Sequence, residues 1–453
     1  AMNEKLKLVP ARVSKVFPSG RKVVYKLTFK SGKVIMGSGN HPFYSLAGWK
    51  RLDKLEKGER IATPRILSTR SVKESKLNNN RLILLAHLIG DGCYVKRQPL
   101  HYTNSDMELI KMVEKAAKSE FAVIPRIVKQ ESWFHLYLSA AAKLARGIRN
   151  PIVKWLDEDL NIYGQRSKEK HVPEKVFVQD VKGIALFLKH LWSTDGCVYV
   201  YNKGKRKVTL YYASSSITLA RDVSHLLLKL GILSTITKSI KKGYDPVFNV
   251  QVQGKVQQLK FFKEIGIVGK KQIKAKEAIN LLESIEENPN NDVIPSEVWS
   301  MIEKIRVDRN LTTREFHKKL GWSYSGTQRH KNGVSRKRLK KINSLLKDDQ
   351  LMNIINSDLF WDEVVDIKRI GTKKVYDVTV PKCASFVAND IIVHNSIEQD
   401  SDVVMFIWRE DEEKIENVSI EIAKHRNGPL RSIKMFFRGD RIKFYGRETK
   451  RAD

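Results

Sequence analysis

The sequence predicts a multidomain α+β chain, in which an all-β domain is interrupted by a mixed α/β insertion and followed by a separate β-rich segment. Three observations predict it. β-patterned stretches stand at both ends of residues 1–395, and neither can bury much of a core alone. Between them, two similar helix-like runs each end in Asp-Gly-Cys. The last 58 residues, 396–453, return to strand-like alternation. At 453 residues the length allows about three domains, on a prior of roughly 150 residues each.

Composition narrows the partners. Lys plus Arg number 83 and Asp plus Glu 50, a formal charge of +33 that is spread along the chain. A polyanion, most often nucleic acid, is the simplest partner for such a field. A basic protein without such a partner is the weaker alternative. Cys93, Cys197 and Cys383 are sparse and form no CxxC pair. This argues against a disulfide framework or a zinc site and for a reducing, cytoplasmic setting. No apolar run approaches the ~20 residues needed to span a bilayer, and the N-terminus shows no signal-peptide core.

In chain order, residues 9–63 read as β. "RKVVYKLTFKSGKVIMG" alternates about Ser31-Gly32, as a hairpin would. Residues 66–80 are polar and read as a connector. Residues 81–285 mix long helices with strands, and residues 296–347 are mostly helical and very basic. Residues 360–395 return to β, with "KKVYDVTV" and "ASFVANDIIV". If 9–63 and 360–395 are two halves of one sheet system, everything between them is an insertion, which a surface loop tolerates. The expected divisions are 1–70, 71–290, 291–355, 356–395 and 396–453.

The repeat carries the first chemistry. "LLAHLIGDGCYV" (Leu84 to Val95) and "FLKHLWSTDGCVYV" (Phe187 to Val200) are apolar helical runs closing on Asp91 and Asp195. The glycine after each Asp is expected to take positive φ and stop the helix. Helices packed side by side would bring the two carboxylates together. Such a pair repels itself and needs a cation, and its hard oxygens suit Mg²⁺. Metals that bridge attacking and leaving oxygens cleave phosphodiesters. The plainer alternative is two helix ends with incidental Asp.

These residues resemble the LAGLIDADG homing endonucleases across about residues 81–285. The resemblance implies an αββαββα-type fold with a pseudo-two-fold repeat, Mg²⁺-dependent cleavage of double-stranded DNA, and Asp91 and Asp195 as catalytic metal ligands. "KEKHVPEKV" resembles a family block whose functional lysine is Lys170 here. The family packs small residues between the paired helices. Ala86 and Gly90 fit that pattern, whereas His190 and Thr194 are bulkier.

The second chemistry sits at "DIIVHNSIEQDSDVVMF", Asp390 to Phe406. His394-Asn395-Ser396 stands between two strand-like pieces without a glycine. A turn explains Asn and Ser equally well. An Asn side-chain amide can also attack its own carbonyl, close a succinimide and break the backbone. "SGNHPF" and "VYDVTVPKCASFVANDIIVHNS" resemble the blocks of inteins, whose Hint-type splicing domain is all-β. The resemblance implies catalytic roles for Ser38, His41, Asp377, His394, Asn395 and Ser396. His41 protonates the upstream leaving amine, and Ser38 polarises that peptide. Asp377 assists, and Ser396 accepts the acyl group as a nucleophile. Asn395 cyclises while His394 acts on its carbonyl. Ala384 stands where the family often has a further histidine. The start "AMNEKLKLVPARV" resembles inteins some tens of residues in, so an upstream piece carrying the first nucleophile is expected elsewhere, either split off or truncated. Splicing needs no cofactor.

After Ser396, "SIEQDSDVVMF" and "AKHRNGP" resemble the C-terminal end of DnaB-type replicative helicases. The resemblance implies that Lys424 and Arg426 reach a neighbouring subunit's nucleotide in a helicase hexamer formed after splicing. The chain has no GxxxxGK followed by Ser or Thr, so ATP binding belongs to the complete host protein alone. Residues 311–342 resemble a helix-turn-helix DNA reader, with a basic spacer as the alternative, and Leu320 and Trp322 are expected in the core. Two rivals remain: a free-standing LAGLIDADG nuclease with no splicing, and a non-catalytic basic DNA-binding protein.

Overall fold

The computed structural model of the chain describes residues 1–67, 76–142, 149–202, 204, 206–287, 292–323, 332–381, 383–395, 403–409, 416–425, 428–429, 431–439 and 443–446. The first β-rich stretch forms β1 (Lys15–Phe29), β2 (Val34–Ser38), β3 (Pro42–Ser45), β4 (Gly48–Arg51) and β5 (Arg60–Pro64). The insertion opens with α1 (Asn79–Asp91), β6 (Gly92–Cys93), β7 (His101–Asn104), α2 (Met107–Glu120), β8 (Val123–Lys129) and β9 (Phe134–Ala140). Two short helices, α3 (Pro151–Lys154) and α4 (Glu174–Phe177), lead to a second copy: α5 (Val181–Asp195), β10 (Gly196–Tyr201), β11 (Lys207–Ser214), α6 (Ile217–Lys229), β12 (Ser234–Ser239) and β13 (Val247–Val252). Then come α7 (Lys255–Glu264), α8 (Lys271–Ser284), β14 (Val293–Ile294), α9 (Val298–Asp308), α10 (Thr313–Lys319), β15 (Val334–Ser335), α11 (Arg336–Leu346) and α12 (Asp349–Asn356). The chain returns to β with β16 (Leu359–Thr379), β17 (Ser385–Ala388) and β18 (Ile391–His394). It closes in β19 (Val403–Arg409), β20 (Asn417–His425), β21 (Arg431–Arg438) and β22 (Lys443–Gly446).

The two β-rich ends share their sheets. One sheet runs β2-β1-β16-β5 and the other β17-β18-β3-β4, so each mixes strands from both sides of the insertion. β1 pairs with β16 from Lys15↔Thr379 to Phe29↔Val364, and β5 pairs beside it with Pro64 opposite Leu359. Leu27, Phe29, Phe43, Val364 and Ile391 fill the core between the sheets. Burying each such side chain is worth about 1.5–3 kcal/mol, and each half alone would leave them wet. The β1–β2 hairpin turns at Ser31-Gly32, as the alternation predicts.

The insertion repeats itself in space. Sheets β6-β7-β9-β8 and β10-β11-β13-β12 have the same order, and each copy reads α-β-β-α-β-β. α1 and α5 are apolar on nearly every side, so they pack against each other inside one shared core. Asn78 caps α1 by accepting from Arg81 N–H, and Asp180 caps α5 by accepting from Gly183 N–H. Contrary to the expectation of positive φ, Gly92 and Gly196 have φ −85° and −75° and run straight into strands. Their smallness serves packing instead: a Cβ on Gly92 would lie 2.5 Å from Leu88 O.

The basic helical stretch is not a separate body. Phe316, Leu320, Leu339 and Ile342 share a cluster with Ala62, Trp361 and Ile392 of the interrupted β domain. Leu320 is buried and Trp322 packs against the cluster, as expected of core residues. The expected helix-turn-helix differs. Part of its turn lies outside the described residues, and Val334 enters a short ladder opposite Ile294 because its side chain is buried there. The tail forms a meander ordered β19-β20-β21-β22. Among the described residues no helix is long and apolar enough to cross a membrane.

Candidate functional site

β18 delivers the His394-Asn395 pair. The Asn395 N–H donates to Ala384 O at 3.0 Å. Its side-chain Nδ2 donates to Val380 O and to Cys383 O, both at 3.1 Å. The side chain is almost wholly buried. Two carbonyl acceptors fix which end of the amide is nitrogen, since carbonyls cannot donate. His394 Nδ1 lies in hydrogen-bond contact with the Asn395 carbonyl oxygen. By the same logic Nδ1 carries the proton in this arrangement. Trp49 of β4 meets the His394 ring edge-on, 4.6 Å between centroids, and restrains it. The carbonyl preceding residue 396 is thus polarised by one side chain, while the amide that could attack it is held alongside.

His41 sits between β2 and β3. Its N–H donates to Ser38 O at 3.0 Å, and its ring packs against Phe43. Burial pushes its pKa below the usual 6.5, and the His394 and Lys22 charges push the same way, while Asp377 opposes them. Asp377 and His394 thus both lie near enough to bear on the His41 ring. Asp377 reaches this region from β16, opposite Phe17. Ser38 ends β2, but its hydroxyl donates to Asn40 Oδ1 at 2.8 Å and not toward the histidines. Ser396 lies outside the described residues.

A second cluster forms where α1 and α5 end. Gly90 lies against Thr194 so closely that an added Cβ would stand 2.1 Å from Thr194 Oγ1. One turn away, His87 Nε2 and His190 Nδ1 share a hydrogen bond of 3.0 Å, and His87 Nδ1 meets Tyr102 OH at 3.0 Å. The bulk of His190 and Thr194 is accommodated because His190 hydrogen-bonds and Gly90 yields the space. Asp91 and Asp195 converge at the helix ends. Burial raises both carboxyls, and the Asp195 charge helps raise Asp91 from 3.8 to about 6. Asn104 Nδ2 donates to Asp91 Oδ2 at 2.8 Å.

Two lysines answer the pair in pseudo-symmetric fashion. Lys170 Nζ donates to Gly90 O at 2.9 Å and Gly92 O at 3.2 Å, closing the end of α1. Lys271 Nζ donates to Thr194 O at the end of α5. Both ammonium groups are pushed down in pKa by burial, while Asp91 and Asp195 hold them up. The sheet faces turned away from the helices carry polar and aromatic groups. Thr103, His135 and Tyr137 line the first, with Arg126 stacked on Tyr137, and Tyr211, Asn249 and Gln251 line the second.

Residues 1–395 match the intein splicing domain family. The chain belongs to that family. Residues 384–446 match the DnaB-like helicase C-terminal domain, so intein sequence runs directly into helicase-type sequence at His394-Asn395. The chain is 40% identical over 457 residues to the replicative DNA helicase DnaB of Synechocystis sp., covering 98% of this chain and 52% of that protein. It is also 40% identical to the DnaB of Rhodothermus marinus, covering 95% of this chain and 47% of that protein. The chain thus spans about half the length of the curated relatives it matches. Among solved structures, it is similar to I-DmoI in complex with DNA and Mn, at 18% identity and TM-score 0.30, over 42% of this chain and 96% of that one. A mutant of an Ssp DnaB mini-intein variant aligns at 43% identity and TM-score 0.15, over 17% of this chain and 52% of that one.

Several groups at the intein's sites escaped the sequence reading. The carbonyls of Val380, Cys383 and Ala384 have no residue signature, because any residue supplies a backbone oxygen. Asn104 stands on the strand after its Asp-Gly motif, 13 residues from Asp91, in a pattern that reads as an ordinary strand end, and Lys271 lies 77 residues from Thr194. The placement of Lys271 at the start of α8, after the second repeat, was its only available signal. Of the helicase-type residues, Lys424 lies in β20 opposite Val404, and Arg426 lies outside the described residues.

Proposed function

We infer that this intein cleaves the bond after Asn395 by side-chain cyclisation, within a DnaB-type replicative helicase host. The observation that supports it most is the Asn395 environment: a buried, oriented amide beside a carbonyl that accepts from His394. Asn395 Nδ2 attacks its own carbonyl carbon, the C–N bond to Ser396 breaks, and the departing amine takes up a proton. His394 stabilises the charge developing on the oxygen. His41, whose pKa burial lowers, and Asp377 serve the upstream bond, with Ser38 near its backbone. Ser396 accepts the acyl group when an upstream donor is present. Ala384 contributes through its carbonyl, which holds the Asn395 backbone where the family often uses a histidine ring.

The test is mass spectrometry of the purified chain. Release of residues 396–453 is expected from the parent and not from Asn395→Ala. Equal release from both would mean ordinary proteolysis at a turn.

The insertion fits cleavage of double-stranded DNA. I-DmoI structures were solved with DNA and with Mn, Ca or Mg, and that supports a divalent cation here. Among the described residues no three His, Cys, Asp or Glu side chains gather as a metal cluster. Two buried carboxylates with raised pKa suit a hard cation that keeps waters and takes substrate phosphate oxygens, as Mg²⁺ does. When bound, such a cation stabilises charge on the phosphate oxygens. Asp91 and Asp195 hold it, Asn104 orients Asp91, and Lys170 and Lys271 lend positive potential. In the complete helicase, Lys424 and Arg426 serve nucleotide sites of a hexamer. The divisions 1–70, 71–290, 291–355, 356–395 and 396–453 assign these roles to splicing, nuclease, basic helical and helicase segments.

A further inference from the structure

A cavity of about 720 Å³ opens where three parts of the chain meet. Its walls come from the β1–β2 turn, from α11 of the basic helical segment, and from β12, an edge strand of the second nuclease sheet. From that edge Thr235 and Thr237 enter the lining, joined by Gln253 just past the end of β13. The groove therefore continues the polar outer face of the nuclease sheet onto two other elements.

The charges in the groove are unevenly matched. Asp292 is held by Arg65 at 2.9 Å and by Arg336 at 3.0 Å. Glu363 is held by Lys30 at 2.9 Å, and Asp362 is buried and accepts from Ser31. Of the lining carboxylates, only Glu287 has no ion pair or hydrogen bond among the described residues. On the other side, Lys337 and Lys340 stand exposed on successive turns of α11 with no carboxylate in ion-pair contact among the described residues. Three of the four lining acids are thus held inside the walls, which leaves Glu287 against the two open lysines beside the nuclease sheet.

We propose that this groove binds the phosphate backbone of duplex DNA flanking the stretch held on the nuclease sheets, with Lys337 and Lys340 as its phosphate contacts. The proposal rests on the DNA-cleavage reading of the insertion and adds a surface outside it. A duplex laid across β10-β11-β13-β12 leaves that sheet over β12 and meets the groove. Phosphate contacts of this kind fix position and carry no sequence information.

The probe is a mixed-sequence 40-base-pair duplex. It is titrated by fluorescence anisotropy between 50 and 200 mM KCl, in an Asp91→Asn background that prevents cutting. Lys337→Gln/Lys340→Gln removes the groove charges. Lys111→Gln/Lys115→Gln removes the same charge from the exposed face of α2. Each phosphate neutralised contributes about 0.9 to the slope of log K against log salt. The groove pair is expected to reduce the slope by about 2, and the α2 pair to leave it near the parent value. Equal effects of the two pairs would overturn the groove. Arg126→Gln separates the two readings. If it weakens binding while the groove pair does not, the nuclease surface stands and the groove falls. If the parent binds no duplex at all, the DNA-cleavage reading itself fails.

Discussion

His225 Nδ1 lies 2.7 Å from Asp390 Oδ1, joining α6 of the inserted repeat to the turn of the β17–β18 hairpin. That turn is tight: Asn389 and Asp390 both have positive φ, +49° and +60°. Four residues later the same strand presents His394 to the Asn395 carbonyl. The inserted α/β repeat therefore anchors the element that carries His394 and Asn395.

Asp390→Asn keeps the turn, because Asn also tolerates the left-handed region. It removes the charge that faces His225. A partly exposed pair of this kind is worth about 1 kcal/mol. Amide hydrogen exchange across 385–394 is expected to quicken and release of 396–453 to slow about fivefold, the rate equivalent of that energy. Unchanged exchange with unchanged release would show that the anchor is idle.

Asp91 bears on both stability and activity, with opposite signs. Its folded pKa is about 6 against 3.8. The folded chain therefore holds this proton longer than the unfolded chain, and stability is highest below about pH 4 and declines as pH rises through 6. Asp91→Asn is expected to stabilise the chain at pH 7.5 by on the order of 2 kcal/mol and to abolish DNA cutting. Cutting by the parent should fall as pH drops through 6. Denaturant melts and a cleavage pH profile check both halves.

The His87–His190 pair works in the other direction. Burial pushes His87 well below 6.5, and His190 to about 4. Both stay neutral when folded, so their contribution is complete above pH 6.5 and drains away as pH falls toward 4. In an Asp91→Asn/Asp195→Asn background, the melting temperature should drop steadily between pH 6.5 and 4. His190→Leu should flatten that drop.

Gly90→Ala should force α1 and α5 apart. A Cβ there would meet Thr194 Oγ1 at 2.1 Å and Thr194 Cβ at 2.5 Å. Overpacking costs typically 1–3 kcal/mol, and the two carboxylates would no longer converge. Thr194→Gly added to Gly90→Ala should recover most of the stability in denaturant unfolding. If it does not, the helices are held apart by something else.

Much of this was legible in the sequence, for particular reasons. Alternation about Ser31-Gly32 marks the β1–β2 hairpin because side chains alternate faces along a strand. The two Asp-Gly-Cys endings mark α1 and α5 because a helix stop followed by a strand repeats at fixed spacing. That 9–63 and 360–395 form common sheets follows from what each half cannot bury. Other features were not legible. The basic helices joining the β domain's core through Ala62 and Trp361 depend on shape complementarity that no local pattern encodes. The extended φ of Gly92 and Gly196 was misread because a glycine after a helix usually signals a left-handed cap, whereas here it avoids Leu88 O and the Trp192 ring. Ser38, singled out beside His41, turns its hydroxyl to Asn40, a choice of rotamer invisible in a string of letters.

Pro64 and Leu359 face each other across neighbouring strands, so the insertion leaves the β domain and re-enters it at almost the same place. A short hairpin turn could in principle replace everything between them without stretching the sheet. Such an excision would not be clean, however. Ala62, Trp361 and Ile392 would lose the helices that shelter them and lie bare on the new surface. A streamlined descendant of this intein would have to repaint that patch with polar residues before it could dispense with its passenger.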